Sequence, residues 1–595
     1  MSFNVSASAF NPGAYEFVPG QFGGPSTPAA SSAPAPAAAP PAPVAPEANE
    51  STWEDQADDK TSGKDSVASI SGKLAETTIE ADLDEIPKDD EALKAELKKM
   101  KEEGLLEEDE EAEILSGAPA KSSKAAAKKV VDSSTLKRHL NIVFIGHVDA
   151  GKSTISGHIM YLSGMVDERT MEKYEREAKA KHRESWKFAW CMDTTDEERS
   201  RGKTQECGRG SFETEAKNYT ILDAPGHKNF VPHMIGGASQ ADVAVLVISV
   251  RKGEFEAGFD RAGQTREHAV LAKTAGVKML IVGINKMDDP SVALEGGIWD
   301  EERYNEVKGF LEPFLKQTGF NLKTEVHFMP ISGFTGWNLK QRVDPKTCPW
   351  YNGPSLLEFL DNLQPQQRYF DLPLRFPIAD KYKEMGTCVM GKLEAGTIKV
   401  GEQLMVLPNK TPIIVENIFV DHKDGQLELT EALPGDNIKM KLKGVEEDSL
   451  RLGFVICRKE NMCRPCKWFD ATVQILDYPS IICPGYSCVL HIHSAIEECT
   501  FYKLVAILDK KTRTVKQKDP KFCKQGDSVI IRIRMHRSIC VERYKDFSQM
   551  GRFMLRDQGN TIGVGIINEL KFPEDKKKDG EGAKVEGAKE GAGPA

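Results

Sequence analysis

After the apolar run Asn141–Ile145 the chain reads Gly146-His147-Val148-Asp149-Ala150-Gly151-Lys152-Ser153-Thr154 and continues into Ile155–Leu162, a segment that suits a helix. A strand that ends in this GxxxxGK[ST] spacing and leads into a helix leaves little choice of local fold. The glycines let backbone N–H groups wrap a polyphosphate, Lys152 reaches its outer phosphates, and the Ser153 hydroxyl suits Mg2+. Alone, the pattern also fits a Gly-rich turn capping a helix, so the rest of the chain has to decide.

Three companions decide it. Asp223-Ala224-Pro225-Gly226-His227 follows the strand-sized run Thr220–Leu222. That places a carboxylate where it can hold a metal through water, and Gly226 where its N–H can meet a terminal phosphate. Met279–Ile284 runs into Asn285-Lys286-Met287-Asp288. The Asp288 carboxylate can accept both hydrogens of the guanine N1 and N2 edge, a donor pair that adenine lacks. Val326–Ile331 leads to Ser332-Gly333, suited to a backbone contact with the guanine carbonyl. Each alone has a plainer reading, with Asp223 as a helix cap, Asn285–Asp288 as a surface turn and Ser332 as a loop residue. In order, at the carboxyl ends of successive strands, they converge on the crevice where open α/β sheets bind ligands. The set predicts GTP or GDP with Mg2+, held by residues 146–154, Asp223, Asn285, Lys286, Asp288, Ser332 and Gly333.

The surrounding chain fits such a domain. Over residues 140–365, apolar strand runs alternate with segments of helical period, the pattern of a parallel sheet with crossover helices. From Pro373 to about Leu570 come short β-branched strands punctuated by Gly and Pro turns, enough for two β-barrels dividing near Cys463. The expected fold class is an α/β P-loop GTPase domain at 138–366, then barrel domains at 367–464 and 465–572, preceded by a disordered tail. Residues 1–66 are rich in Ala, Pro, Gly and Ser and cannot bury enough apolar surface to offset chain entropy. Residues 67–137 read as an acidic, partly helical linker, and 573–595 as a solvated tail.

Charge follows the same division. The chain of 595 residues has a net charge of −11, yet residues 1–135 alone hold 12 basic and 26 acidic side chains, so the remainder is weakly basic. The low pI therefore belongs to one tail, and contact with nucleic acid stays open. No run approaches the roughly 20 apolar residues needed to span a bilayer, and the start Met1-Ser2-Phe3-Asn4 lacks a secretory pattern. A cytoplasmic protein without a membrane partner is expected. Cys463 and Cys466 form the only CxxC and lack a second ligand pair, which favours free thiols over a zinc site.

These residues resemble the translational GTPases, and the DAPGH and NKMD sequences resemble the branch with elongation factor 1-alpha, the ribosome-rescue factor and eukaryotic release factor 3. The match spans roughly Leu140–Leu570. Within the branch, Gly202-Lys203-Thr204, Ser480–Glu498 and Gly551–Gly565 look most like the release factor 3 family. The resemblance implies that Thr204 closes on Mg2+ beside Ser153 and Asp223. It implies catalytic roles for Thr204, Gly226 and His227, with His227 positioning the attacking water on the ribosome. A His directly after the phosphate-sensing Gly226 is well placed for that, because phosphoryl transfer asks mainly for orientation and charge neutralisation. His227 also fits a surface helix cap. Lys203 stands where elongation factors place the apolar gate wall opposite Val148.

Partners follow from the same resemblance. Residues 3–12 and 10–19 both fit N-x-x-A-x-x-F-x-P, offset by seven and sharing Phe10. They resemble the tandem motif by which release factor 3 tails bind poly(A)-binding protein, with Phe3, Phe10 and Phe17 filling small pockets. Solvent-exposed spacers are the plainer alternative. The last barrel is similar to the docking surface for eukaryotic release factor 1, with Arg552 and Phe553 as first contacts. Alternatively, Phe553 and Leu555 alternate inward as ordinary strand residues. The basic run Arg532–Arg537 faces ribosomal RNA or is an exposed strand face. The function implied is a ribosome-stimulated GTPase of translation termination, with mRNA-decay factors among further partners. Rival readings are a rescue or elongation GTPase, and a GTP-dependent scaffold linking poly(A)-binding protein to mRNA factors. Replacing Phe10 and Phe17 by Ala is expected to abolish pull-down of poly(A)-binding protein while leaving GTP hydrolysis unchanged.

Overall fold

The structure, a computed structural model, describes residues 130–131 and 137–572 apart from short stretches within them. The expected tail 1–66 with Phe3, Phe10 and Phe17, nearly all of the linker 67–137, and the tail 573–595 lie outside the described residues.

The first module is built on strand β1 (Arg138–Gly146), whose β-branched and aromatic residues Ile142, Val143, Phe144 and Ile145 are at most 1% exposed. They are buried on both faces because helices cover both sides of a parallel sheet. With the period of two, Ile142 and Phe144 enter one apolar cluster and Val143 and Ile145 the other. Helices α1 (Lys152–Leu162), α2 (Glu168–Ala180), α3 (Trp186–Ala189) and α4 (Asp196–Arg201) precede strands β2 (Gly208–Glu213) and β3 (Lys217–Asp223). Then come α5 (Val231–Gln240), β4 (Val243–Ser249), α6 (Glu254–Phe259), α7 (Gln264–Ala275), β5 (Met279–Asn285), α8 (Glu301–Thr318), β6 (Val326–Pro330) and α9 (Leu356–Asn362). The sheet order is β2-β3-β1-β4-β5-β6.

All neighbours pair in parallel except β2, which runs antiparallel to β3. The parallel sheet expected from strand and helix alternation is present, with one antiparallel strand added at its edge. A connection as short as residues 214–216 closes a hairpin, since parallel neighbours need a crossover of a dozen residues or more.

Two antiparallel barrels follow. In the first, the long strand Thr411–His422 pairs with Gln403–Leu407, Gly425–Leu429 and Asn437–Lys443 around Val406, Val415, Ile418, Ile438 and Met440. In the second, strands run 487–492, 552–557, 560–571, 465–475, 528–540 and 495–508, and the last pairs back to the first. All twelve cysteines are free thiols, and Cys463 lies with Cys540, Leu407 and Val455 in an apolar cluster between the barrels. No helix among the described residues is long and apolar enough to cross a membrane.

The strand Arg552–Asp557 corrects the expectation for Arg552 and Phe553 as open docking residues. Phe553 is 1% exposed, meets Phe469 edge to face at 5.8 Å and covers Gly565 inside the barrel. Its neighbour Met554 points the other way, into the apolar cluster of the first module. Arg552 is half-buried, lies over Tyr544 and abuts Gly276 at the end of α7. Arg556, 4% exposed, pairs with Glu267 of α7 at 2.8 Å. The physical reason is that both faces of this strand are covered, one by its own barrel and one by the nucleotide-type module.

The first barrel is joined to the same module by Asp242, just before β4. Its carboxylate meets Lys392 at 2.8 Å and Arg368 at 3.5 Å, and Asp242 and Lys392 are 6% and 5% exposed. Burial alone would raise this carboxyl, but Lys392 and Arg368 outweigh it and hold it well below the usual carboxylate range. A depressed carboxyl contributes stability that is complete above its unfolded pKa of about 3.9 and is lost as pH falls toward the folded value. Asp242→Asn, which leaves Lys392 buried without its partner charge, is expected to cost about 3–5 kcal/mol near neutral pH. Denaturant titrations at a series of pH values should show that difference shrinking below pH of about 4.

Candidate functional site

The register of the sheet sets strand ends side by side: Phe144 opposite Asp223, Gly146 opposite Val247, Ser249 opposite Asn285, and Ile284 opposite Pro330. The loops leaving those ends enclose a cleft of about 640 Å³. At the first, Gly146 has φ 143°, and a Cβ there would run into the Val247 carbonyl. Its N–H donates to His268 Nδ1 at 3.1 Å. Burial pushes that fully buried imidazole down to about 3, so it stays a neutral acceptor.

The loop then turns through Asp149 (φ 58°) and Gly151 (φ 97°) into α1, which has no side-chain cap and no acid in its first turn. The first N–H groups of a helix have no partner within it, and the helix dipole adds positive potential, so this end favours an anion. Lys152 is 6% exposed and its Nζ donates to the His147 carbonyl at 2.8 Å. Burial pulls its ammonium down to about 8.

Next to this anion-favouring end stands a set of oxygens. The hydroxyls of Ser153 and Thr204 are 3.0 Å apart. Asp223 is fully buried, and neither carboxylate oxygen has a hydrogen-bond partner among the described residues. Burial pushes it up to about 6 against the pull of Ser153 and Lys152. Asp193, 4% exposed with Oδ1 unpartnered, is pushed up to about 7 by burial and by Asp223 and Glu198. Orphaned carboxylates beside hydroxyls fit a hard cation. No group of three or more His, Cys, Asp or Glu among the described residues is placed to hold a metal. Two carboxylates with hydroxyls and phosphate oxygens are the set that suits Mg2+, which seldom takes an all-protein cage.

The far end is organised by Asn285. Its Nδ2 donates to the Ala150 carbonyl and its Oδ1 accepts the Gly333 N–H, both at 2.8 Å. One carboxamide thus fastens the phosphate-type loop to the Ser332–Gly333 loop. Ser332 is fully buried and its Oγ accepts the Thr335 N–H at 3.1 Å, while His158 Nδ1 lies 2.8 Å from the Gly333 carbonyl. Lys286 (φ 68°) is held by Glu254 at 2.6 Å, and Asp288 is half-buried on the cleft wall.

Of the expected residues, Val148, Asp149, Gly151, Lys152, Ser153, Thr154, Thr204, Gly226, His227, Asn285, Lys286 and Asp288 line this one cleft. Gly146, His147, Ala150, Asp223, Ser332 and Gly333 are not on the lining, and the bonds of Gly146, His147, Ala150 and Gly333 hold its loops from behind. His227 lines the cleft, and its Nδ1 accepts the Asn229 N–H at 3.3 Å to cap the short turn Lys228–Phe230. Lys203 lines the cleft with Val148. Asp193, Trp186, Trp190 and Arg251 also line it and were not singled out from the sequence, because no local motif surrounds them.

The elongation factor Tu GTP-binding domain model matches residues 137–366, elongation factor Tu domain 2 matches 386–457, and the GTP-eEF1A C-terminal domain-like model matches 468–568. The chain is 48% identical over 504 residues to a Kluyveromyces lactis protein named eukaryotic peptide chain release factor GTP-binding subunit, covering 82% of this chain and 71% of the relative. A Zygosaccharomyces rouxii protein of the same name is 51% identical over 434 residues, and there the match covers 73% of this chain and 64% of the relative. The solved S. cerevisiae Ski7 GTPase-like domain bound to GTP is 20% identical over 73% of this chain and 98% of that one, with a TM-score of 0.59, and shares the fold.

Asn285→Ala removes two short bonds from buried groups and leaves their partners unmatched, at about 1–3 kcal/mol for each buried group left unsatisfied. Denaturant unfolding of the full chain is expected to shift to lower midpoint by that order, without loss of secondary structure before the transition.

Proposed function

Because this chain belongs to the family of eukaryotic peptide chain release factor GTP-binding subunits, we propose that it is a GTP-hydrolysing translation termination factor. In its GTP state it binds release factor 1 and brings it to ribosomes halted at a stop codon. The observation that carries this reading is the single cleft that gathers Lys152, the Ser153–Thr204 pair, Gly226, His227, Asn285 and Asp288. The last of these supplies the acceptor pair that selects guanine.

In the mechanism, the start of α1 and Lys152 hold the β- and γ-phosphates and balance their charge. Ser153 and Thr204, with the carboxylates of Asp223 and Asp193, would hold Mg2+, which would neutralise charge developing on the phosphate oxygens. Gly226 has no side chain between its N–H and the γ-phosphate: a Cβ there would crowd Lys152 Nζ and the Val148 amide. His227 orients the attacking water in line with the bond to be broken, and the remaining work is charge stabilisation. When the γ-phosphate leaves, Thr204 and Gly226 lose the group that ordered them, and the barrels' hold on the partner changes. The chain itself does not cleave peptidyl-tRNA.

The division into a GTPase domain at 138–366, barrels at 367–464 and 465–572, and tails at either end belongs to the same reading. So do a cytoplasmic location and a poly(A)-binding-protein contact through Phe3, Phe10 and Phe17.

Purified protein is expected to turn over GTP slowly alone and faster when ribosomes and release factor 1 are both present. Equal rates in the two assays would overturn the proposal. His227→Ala is expected to lower the stimulated rate by about 100-fold or more with nucleotide affinity unchanged. Asp288→Ala should erase the preference for GTP over ATP in equilibrium binding.

A further inference from the structure

Glu198, in α4, is a buried carboxylate that no motif marks. It is 4% exposed. Its Oε2 accepts the Thr195 hydroxyl at 2.9 Å and the Thr195 N–H at 3.5 Å, and the Thr195 Oγ1 accepts the Glu198 N–H at 3.3 Å. That is a capping box, which satisfies donors at the helix start. The second oxygen does something a capping box does not need. Glu198 Oε1 accepts the N–H of Gln205 at 2.9 Å and of Glu206 at 3.3 Å.

Between the end of α4 at Arg201 and these clasped amides stand only Gly202, Lys203 and Thr204. Gly202 is itself fixed. Its N–H donates to the Glu198 carbonyl at 2.7 Å, its φ is 63°, and the Trp186 ring occupies the space a Cβ would need. Thr204 therefore sits on a short arc whose two ends are both held by Glu198, with its Oγ1 3.0 Å from Ser153 Oγ.

We propose that Glu198 is a positioning residue that fastens the Gly202–Glu206 backbone so that Thr204 meets the cation and γ-phosphate, and so sets the preference for GTP over GDP. The inference rests on the GTPase reading above. A charged acceptor shielded from water binds amides more strongly than a neutral one, so two such bonds are enough to order a three-residue arc in advance. Without them, the arc must be ordered when nucleotide binds, and that cost reduces affinity. GDP has no γ-phosphate for Thr204 to close on, so its affinity is indifferent to the arc. Capping alone makes a different prediction, because a weakened helix would affect both nucleotides alike.

The test titrates the full-length protein with a non-hydrolysable GTP analogue and with GDP, both with Mg2+ present. Glu198→Ala is expected to weaken the GTP analogue by about 10–100-fold, the equivalent of about one charged hydrogen bond, and GDP by less than about threefold. Glu198→Gln keeps a side-chain oxygen for the two amides and should recover most of the loss. Thr195→Ala removes the cap but not the clasp, and should leave the ratio of the two affinities unchanged. In a Thr204→Ala background, Glu198→Ala should cause no further loss. Equal weakening of both nucleotides by Glu198→Ala, no weakening of either, or a Gln variant as poor as Ala would each overturn the proposal. Wild-type protein that binds neither nucleotide would instead sink the GTPase reading on which the proposal depends.

Discussion

Hydrogen bonding of β1 between β3 and β4 governs everything that faces the cleft. A parallel ladder has a fixed register, and sliding one strand by a single residue would reverse the faces of all its side chains. With Ile142 and Phe144 committed to one core and Val143 and Ile145 to the other, that slip is blocked. The loop after Gly146, the carboxylate of Asp223 and the carboxamide of Asn285 consequently emerge at one level. The close approach of Gly146 to the Val247 carbonyl is possible only without a Cβ, and it brings the loop down onto the sheet end.

The barrels are attached to this module by contacts of two kinds. Asp242 with Lys392 and Arg368 is a buried ionic joint, sensitive to the loss of any one member. The strand Arg552–Asp557 makes a mixed joint in which Met554 enters the apolar cluster of the first module while Arg556 and Thr561 both bond to Glu267. The next residue in α7, His268, accepts the N–H of Gly146. The nucleotide-binding loop and the second barrel thus share one helix. This contiguity joins the loop after Gly146 to the second barrel through two successive residues of one helix.

How far the sequence could be read depended on whether the chemistry was local. Gly146–Thr154, Asp223–His227, Asn285–Asp288 and Ser332-Gly333 are short strings at or just after strand ends, and all lie in the segment that matches the elongation factor Tu GTP-binding domain model. Strand β2 escaped because Gly208–Glu213 has a single fully buried position, Phe212, and no alternating apolar pattern. Arg552 and Phe553 were open to two readings, and alternation alone suggested that Phe553 turns inward. It could not show that Met554, on the opposite face, is buried too, since that depends on a helix more than 270 residues earlier in the chain.

Asp193 and Glu198 mark the limit of sequence reading. Each is one acidic residue in a segment with many, and composition gives no reason to prefer it. Burial separates them from their neighbours: Asp193 with an orphaned oxygen on the cleft wall, and Glu198 with one oxygen on the Thr195 hydroxyl and the other on two backbone amides. The amino-acid sequence alone determined the sheet-and-barrel architecture and the nucleotide chemistry, because strand periodicity and motif spacing are set by covalent geometry over a few residues. The tertiary structure alone decided which faces are covered, which carboxylates lose water, and which side chain holds Thr204 in place. Those outcomes depend on distant segments meeting, and desolvation is a property of the assembled surface.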